Sequence, residues 1–197
     1  MDDVLKLGTR QGLPEDLRFL LHKHPRKGWK AQSALAGTAA FWLANHDVFR
    51  AGTYKIYEDL LSLCESGETN YDSGPALRRH IGSLIGGLEG HHNVEDHHYF
   101  PMFQSAEPRL ARGFEILDGD HRLIHDALGE LAATTHKSLE RLGRTEGVMT
   151  SDQRFALDEL VTVVKHTAPL LRQHLGDEEE IVIPLLLERA RSDPDFG

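Results

Sequence analysis

Residues 91–101 read HHNVEDHHYFP, and residues 174–184 read HLGDEEEIVIP. Each stretch runs His, three residues, Glu, an acidic residue, four residues, Pro. Four residues of α-helix return the chain to nearly the same face, so His91 stands over Glu95 and His174 over Glu178. A neutral imidazole and a carboxylate stacked in this way offer two ligands to a transition metal. One such pair arises on surface helices by chance. Two copies with the same trailing proline form a pattern.

The apolar spacing around these stretches is helical. A first helix is expected from Ala31 to Cys64, with Leu35, Phe41, Trp42, His46, Phe49, Ile56, Leu60 and Leu63 at three- and four-residue steps. Gly37 and Gly52 weaken it and admit a bend. ESGETNYDSG reads as a loop, and Pro75 opens a second helix to about Gln104, inner side Leu77, Ile81, Leu84, Ile85, Leu88, His91 and Glu95. Pro101 predicts a kink or break near its end. Gly82, Gly86 and Gly90 make a small-residue ridge suited to close approach by the N-terminal segment or a second subunit. A third helix carries Leu110, Phe114, Leu117, His121, Ile124, His125, Leu128 and Leu131 to about Leu142. After the loop GRTEGVMTSD, Ser151-Asp152 are expected to cap a fourth helix that holds Pro169, with a kink, His174 and Glu178.

No segment alternates with a two-residue period, and the β-branched runs VTVV and EIVIP lie within longer helical patterns. The expected fold is all-α: an antiparallel up-down-up-down four-helix bundle over residues 30–191. An N-terminal arm (1–29) precedes it and a frayed tail (192–197) follows. Each helix pair ends in the His-x3-Glu…Pro unit, as after a duplication with pseudo-twofold symmetry.

Composition narrows the function. The chain has 197 residues, enough for one domain with a substantial core. Its 31 acidic against 22 basic residues give a net charge of −9, which argues against nucleic acid or an anionic membrane as partner. The single cysteine, Cys64, suits a reducing compartment, and no apolar run spans a bilayer, so the expected location is cytoplasmic. Thirteen histidines stand out.

His46 lies on the apolar run of the first helix; taken alone, a core histidine with an ordinary hydrogen bond is the commoner explanation. His121 and His125, four apart on the third helix, could equally be a surface pair. Together with the two His/Glu pairs they make five imidazoles and two carboxylates from four helices. If Glu95 and Glu178 each bridge two metals beside one oxo or hydroxo bridge, the histidines divide three and two. One ion is then six-coordinate and the other keeps an open position. Such a centre suits iron, with manganese second; zinc, which prefers four ligands, fits less well. His92 and Asp96, one residue out of phase, would replace His91 and Glu95 if the helix turned by about 100°; the matching Glu178 register favours His91 and Glu95. Asp120 is a candidate hydrogen-bond partner for an imidazole or iron-bound water. His80 could guard a channel or hold a weaker metal, though a core-edge histidine is the commoner case. Trp42 and Phe49 are expected to wall the open iron.

The set His46, His91-x3-Glu95, His121-x3-His125, His174-x3-Glu178 resembles the hemerythrin family in its HHE cation-binding branch, over about Ala31 to Arg191. The resemblance implies two non-haem irons joined by an oxo or hydroxo group. It puts His121, His125 and His174 on one iron, His46 and His91 on the other, and Glu95 and Glu178 between them. The oxygen-carrying members end in His-x4-Asp where this chain has His-x3-Glu, a departure that argues against reversible oxygen carriage.

The favoured reading is a protein that binds or senses O2, NO or peroxide at the open iron. The alternatives are a di-iron enzyme that activates O2 or decomposes peroxide or NO, and an iron-homeostasis protein that folds on metal. The oligomeric state is left open, with a dimer admitted.

Overall fold

The computed structural model describes residues 5–31 and 37–190. Leu35 and the tail 192–197 lie outside them. The described residues are all-α but for a two-residue ladder. Its helices are α1 (Phe19–Lys23), α2 (Thr38–Ser66), α3 (Ser73–Val94), α4 (Phe100–Ala106), α5 (Ala111–Leu142) and α6 (Ser151–Arg189). Among the described residues no helix is long and apolar enough to cross a membrane.

Local chemistry sets the ends. Gly37 takes φ +58, a conformation open to a residue without Cβ, and its carbonyl accepts the Phe41 N–H of the first turn of α2. The cap of α6 is Thr150 rather than Ser151 or Asp152. Its hydroxyl accepts the Gln153 N–H at 3.2 Å, while the Gln153 side-chain oxygen accepts the Thr150 N–H at 3.0 Å. That reciprocal pair is a capping box. Pro169 and Pro184 both lie within the unbroken span of α6.

The break expected from Pro101 takes a specific form. Between α3 and α4 the chain makes a π-helical turn, Glu95–Tyr99, in which the Phe100 N–H reaches back five residues to the Glu95 carbonyl. Proline cannot donate to the carbonyl four residues earlier and its ring crowds that carbonyl, so a widened turn accommodates it. The turn adds a residue to the helix face just where the first motif lies.

The described residues form two compact units, and α2, α3, α5 and α6 each contribute to both. One unit draws on the chain up to Val48, His91–Leu123 and the chain from Leu171. Its core gathers Phe100, Phe103, Phe114 and Leu117 with the buried run Ile181–Leu187, so burial keeps the β-branched EIVIP stretch helical. Leu13, Leu17, Leu20 and Trp29 belong to the same core. Burying each is worth about 1.5–3 kcal/mol, so the N-terminal segment is an integral layer of this unit, not a loose arm.

The other unit comprises Phe49–Gly90 and Ile124–Leu170. It buries Ile56, Leu60, Leu77, Ile81, Leu84 and Leu88 with Ile124, Leu128 and Leu157. The two loops read from composition meet here: β1 (Glu68–Thr69) pairs antiparallel with β2 (Gly147–Val148). Close approach occurs at Gly87, where an added Cβ would come within 3.1 Å of the Phe49 ring. At Gly82, Gly86 and Gly90 nothing among the described residues lies within 4 Å of that position. His80, half-buried, pairs its Nδ1 with Asp59 at 3.0 Å.

Replacing Thr150 by Ala removes one half of the capping box. The expected loss is about 1 kcal/mol of unfolding free energy in urea titrations, with helix content unchanged in the native state.

Candidate metal centre

Two groups of metal-ligating side chains lie in the first unit: His92, His121 and His174, and His46, His91, Glu95 and Glu178. In each group the candidate ligand atoms fall within 4.8 Å of one another. His46, His92, His121, His174, Glu95 and Glu178 are buried, and the His91 side chain is 11% exposed. The imidazoles meet tip to tip, His46 Nε2 to His91 Nε2 at 3.1 Å and His121 Nε2 to His174 Nε2 at 3.2 Å. The His121 ring is held between His92 on one face, with centroids 4.0 Å apart, and Phe100 at 5.5 Å.

The carboxylates reach both groups. Glu95 Oε1 lies 2.9 Å from His91 Nε2, and its Oε2 lies 3.5 Å from His121 Nε2. Glu178 Oε1 lies 3.4 Å from His46 Nε2, and its Oε2 lies 3.4 Å from His174 Nε2. Each carboxylate thus turns one oxygen to either group.

The far sides of three imidazoles are fixed by acids. Nδ1–H donates from His121 to Asp96 at 2.7 Å, from His174 to Asp120 at 3.3 Å and from His46 to Glu179 at 3.1 Å. A carboxylate only accepts, so a proton sits on Nδ1, and in the neutral ring Nε2 is left as the lone-pair end. For His121 and His174 this puts two lone pairs face to face, a repulsive arrangement unless a cation or a proton lies between. Neither oxygen of Glu95 receives a hydrogen bond, nor does Glu178 Oε2, although all three atoms are buried. Trp42 Nε1–H donates to Glu178 Oε1, which leaves that oxygen a second lone pair. Orphaned carboxylate oxygens beside inward-facing imidazole lone pairs are the donor set that a divalent or trivalent cation satisfies.

The electrostatics agree with this. Burial, and then the neighbouring Glu178, pushes the Glu95 carboxyl up, whereas His46 and His174 hold Glu178 below the usual range despite its burial. Burial lowers His46, but Glu178 and Glu179 outweigh it and raise the group to about 9. Burial brings His91 down to about 4 and depresses His92, with His121 and His174 adding to the fall in His92. Two carboxylates and five imidazoles confined together cannot all hold their ordinary charge states without added positive charge.

The family model for the hemerythrin HHE cation binding domain matches residues 38–186. The chain belongs to the hemerythrin HHE cation-binding family. No curated protein and no solved structure matches it.

For this HHE protein the structure brings together six of the side chains expected from sequence: His46, His91, Glu95, His121, His174 and Glu178. His125 is exposed and joins neither group. The buried seam that starts at Leu110 and continues along α5 runs Phe114, Leu117, His121, Ile124, Leu128, Leu131, alternating steps of four and three. Ile124 is the seam position after His121, and His125 is turned about 100° past it. His92 stands where His125 was expected. The choice between His91 and His92 was a false one: both follow Leu88 at seam steps of three and four, and each joins a different group. Asp120 does hold an imidazole, that of His174. Trp42 contacts the site through Glu178, while Phe49 belongs to the other unit.

Sequence reasoning missed Asp96 and Glu179 as the acids that orient His121 and His46. Their signal was present, since each motif carries a second acid directly after its glutamate. Removal of His92 is expected to lower metal affinity by at least the about 10–100-fold typical of losing even an outer partner. His125→Ala should leave metal content per chain unchanged, and metal analysis after loading and desalting separates the two.

Proposed function

We propose that this HHE domain binds two iron ions, one at each side-chain group, and binds or senses a small molecule such as O2 or NO at an open position on one of them. The observation that carries the reading is the splayed pair of carboxylates: Glu95 turns one oxygen toward His91 and the other toward His121, and Glu178 one toward His46 and the other toward His174. Bridging carboxylates are how two neighbouring ions share a site with few protein charges. The ligands come from α2, α3 and its π turn, α5 and α6, which supports an up-down-up-down bundle with its metal centre inside. Manganese is the second choice of metal.

Counting donors supports an open position. The group with His92, His121 and His174 has three imidazoles and the other has two, so equal sharing of the carboxylates leaves the second ion one ligand short. When bound, the ion pair supplies a reversible one-electron couple and a vacant coordination site. The protein does the rest. Trp42 holds Glu178 by a hydrogen bond, and its ring stands 6.1 Å from His91 and 4.9 Å from Tyr99. Phe103 packs at 5.7 Å from both Trp42 and Tyr99. These rings exclude water beside the two-imidazole group, which slows proton delivery and favours binding over turnover.

Purified protein loaded anaerobically with Fe(II) should retain two iron ions per chain. On mixing with O2 or NO in a stopped-flow spectrometer, a new visible band should form and persist. Immediate passage to the ferric spectrum would instead mark an enzyme, and no iron retained would end the proposal.

A further inference from the structure

Two arginines from the N-terminal segment, outside the matched span 38–186, stand directly behind the acids that orient the imidazoles. Arg10 is buried, its side chain 1% exposed. Its Nη1 donates to Asp120 Oδ1 at 2.8 Å, and its Nη2 donates to Asp120 Oδ2, the same oxygen that accepts from His174 Nδ1. Its Nε donates to Asp177 Oδ2 at 2.8 Å and its Nη1 also to the Leu5 carbonyl at 3.0 Å. The backbone here is clipped to α6 beside His174: Gly8 N–H donates to the Gln173 side chain at 3.1 Å, and Gln173 donates back to the Arg10 carbonyl at 2.9 Å. Arg26 repeats the arrangement nearer the surface. Its Nη1 donates at 2.5 Å to Glu179 Oε2, whose Oε1 accepts from His46 Nδ1. Arg26 is 48% exposed and Glu179 1%.

We propose that Arg10 is a positioning residue of the metal centre, acting on His174 through Asp120, and that Arg26 acts more weakly on His46 through Glu179. A carboxylate on the Nδ1–H of a ligating imidazole draws on that proton and makes Nε2 a stronger donor to metal, which favours the more oxidised ion. A guanidinium bound to both oxygens of the same carboxylate withdraws that charge and weakens the effect. One imidazole in each group is backed in this way, so the N-terminal segment sets the potential of both ions. Burial decides the order of the two: Arg10 acts in a dry interior, whereas the field of Arg26 is screened by water.

The inference rests on the di-iron reading, and one experiment separates their fates. Wild type, Arg10→Ala, Arg10→Lys and Arg26→Ala are loaded with Fe(II) and the midpoint potential and optical spectrum of the loaded protein are measured. The potential should move negative in Arg10→Ala, move less in Arg26→Ala, and be partly restored in Arg10→Lys, which keeps the charge but not the two-point contact. A purely structural Arg10 would lower melting temperature or iron occupancy and leave the potential of the loaded fraction unchanged, which overturns the inference. Should Arg10→Ala fail to fold, Arg26→Ala decides in its place, and an unchanged potential there overturns it. Wild type that retains no iron overturns the di-iron reading and this inference together, whereas loaded wild type with unshifted variants overturns this inference alone.

Discussion

The unit around the candidate centre depends on one constraint: Glu95 and Glu178 are carboxylates buried where hydrogen bonds do not satisfy them. A buried, half-satisfied acid costs several kcal/mol, and a protein tolerates it when something else compensates. Protons can do so in part, as the raised His46, His174 and Glu95 show, but a proton shared between His121 and His174 leaves the buried Glu95 and Glu178 oxygens without partners. Cations answer both problems at once. The same side chains that would destabilise a metal-free core are those that make the loaded one specific, so metal binding and the stability of this unit are coupled.

That coupling explains the depth of support behind the imidazoles. Asp96, Asp120 and Glu179 fix three rings, and two of these acids are themselves fixed by arginines from the N-terminal segment. Orientation is thus passed from residue 10 to Asp120 to His174, and from residue 26 to Glu179 to His46. The hydrophobic docking of Leu13, Leu17, Leu20 and Trp29 anchors the segment, and the arginines extend that anchoring into the polar interior. Asp177 shares Arg10 but has its carboxyl raised by burial, so Asp120, held low, is the stronger anion of the two.

The long helices and most of the site were legible because both obey a period. Leu77, Ile81, Leu84 and Leu88 lead by seam steps to His91 and His92, and Leu157, Leu160, Val164 and Leu171 lead to His174. The reading failed where a single residue of phase decides the outcome. His121 and His125 share a helix face at four-residue resolution, but the α5 seam advances by alternating three and four, and it carries Ile124 inward while His125 turns out. Long-range partners left no local trace: nothing around Arg10 marks it as the partner of Asp120, 110 residues away. The ladder Glu68–Thr69 with Gly147–Val148 is too short to show alternation, and it pairs two segments that composition marks only as loops.

The repeat of the two motifs is imperfect, and the imperfection gives the candidate centre its asymmetry. In the first copy two consecutive histidines join different side-chain groups, followed by a π turn that carries Glu95 and then Asp96 to the site. In the second copy a single histidine lies within an unbroken helix, so α6 contributes one imidazole. Five histidines therefore divide unevenly between two groups. The poorer group is also the one flanked by Trp42, and it contains His91, whose side chain is 11% exposed where the other candidate ligands are buried. The shortage of ligands and the edge nearest solvent coincide there. The extra histidine and the wide turn beside Pro101 thus leave the ligand-poor group of the proposed pair at the solvent edge.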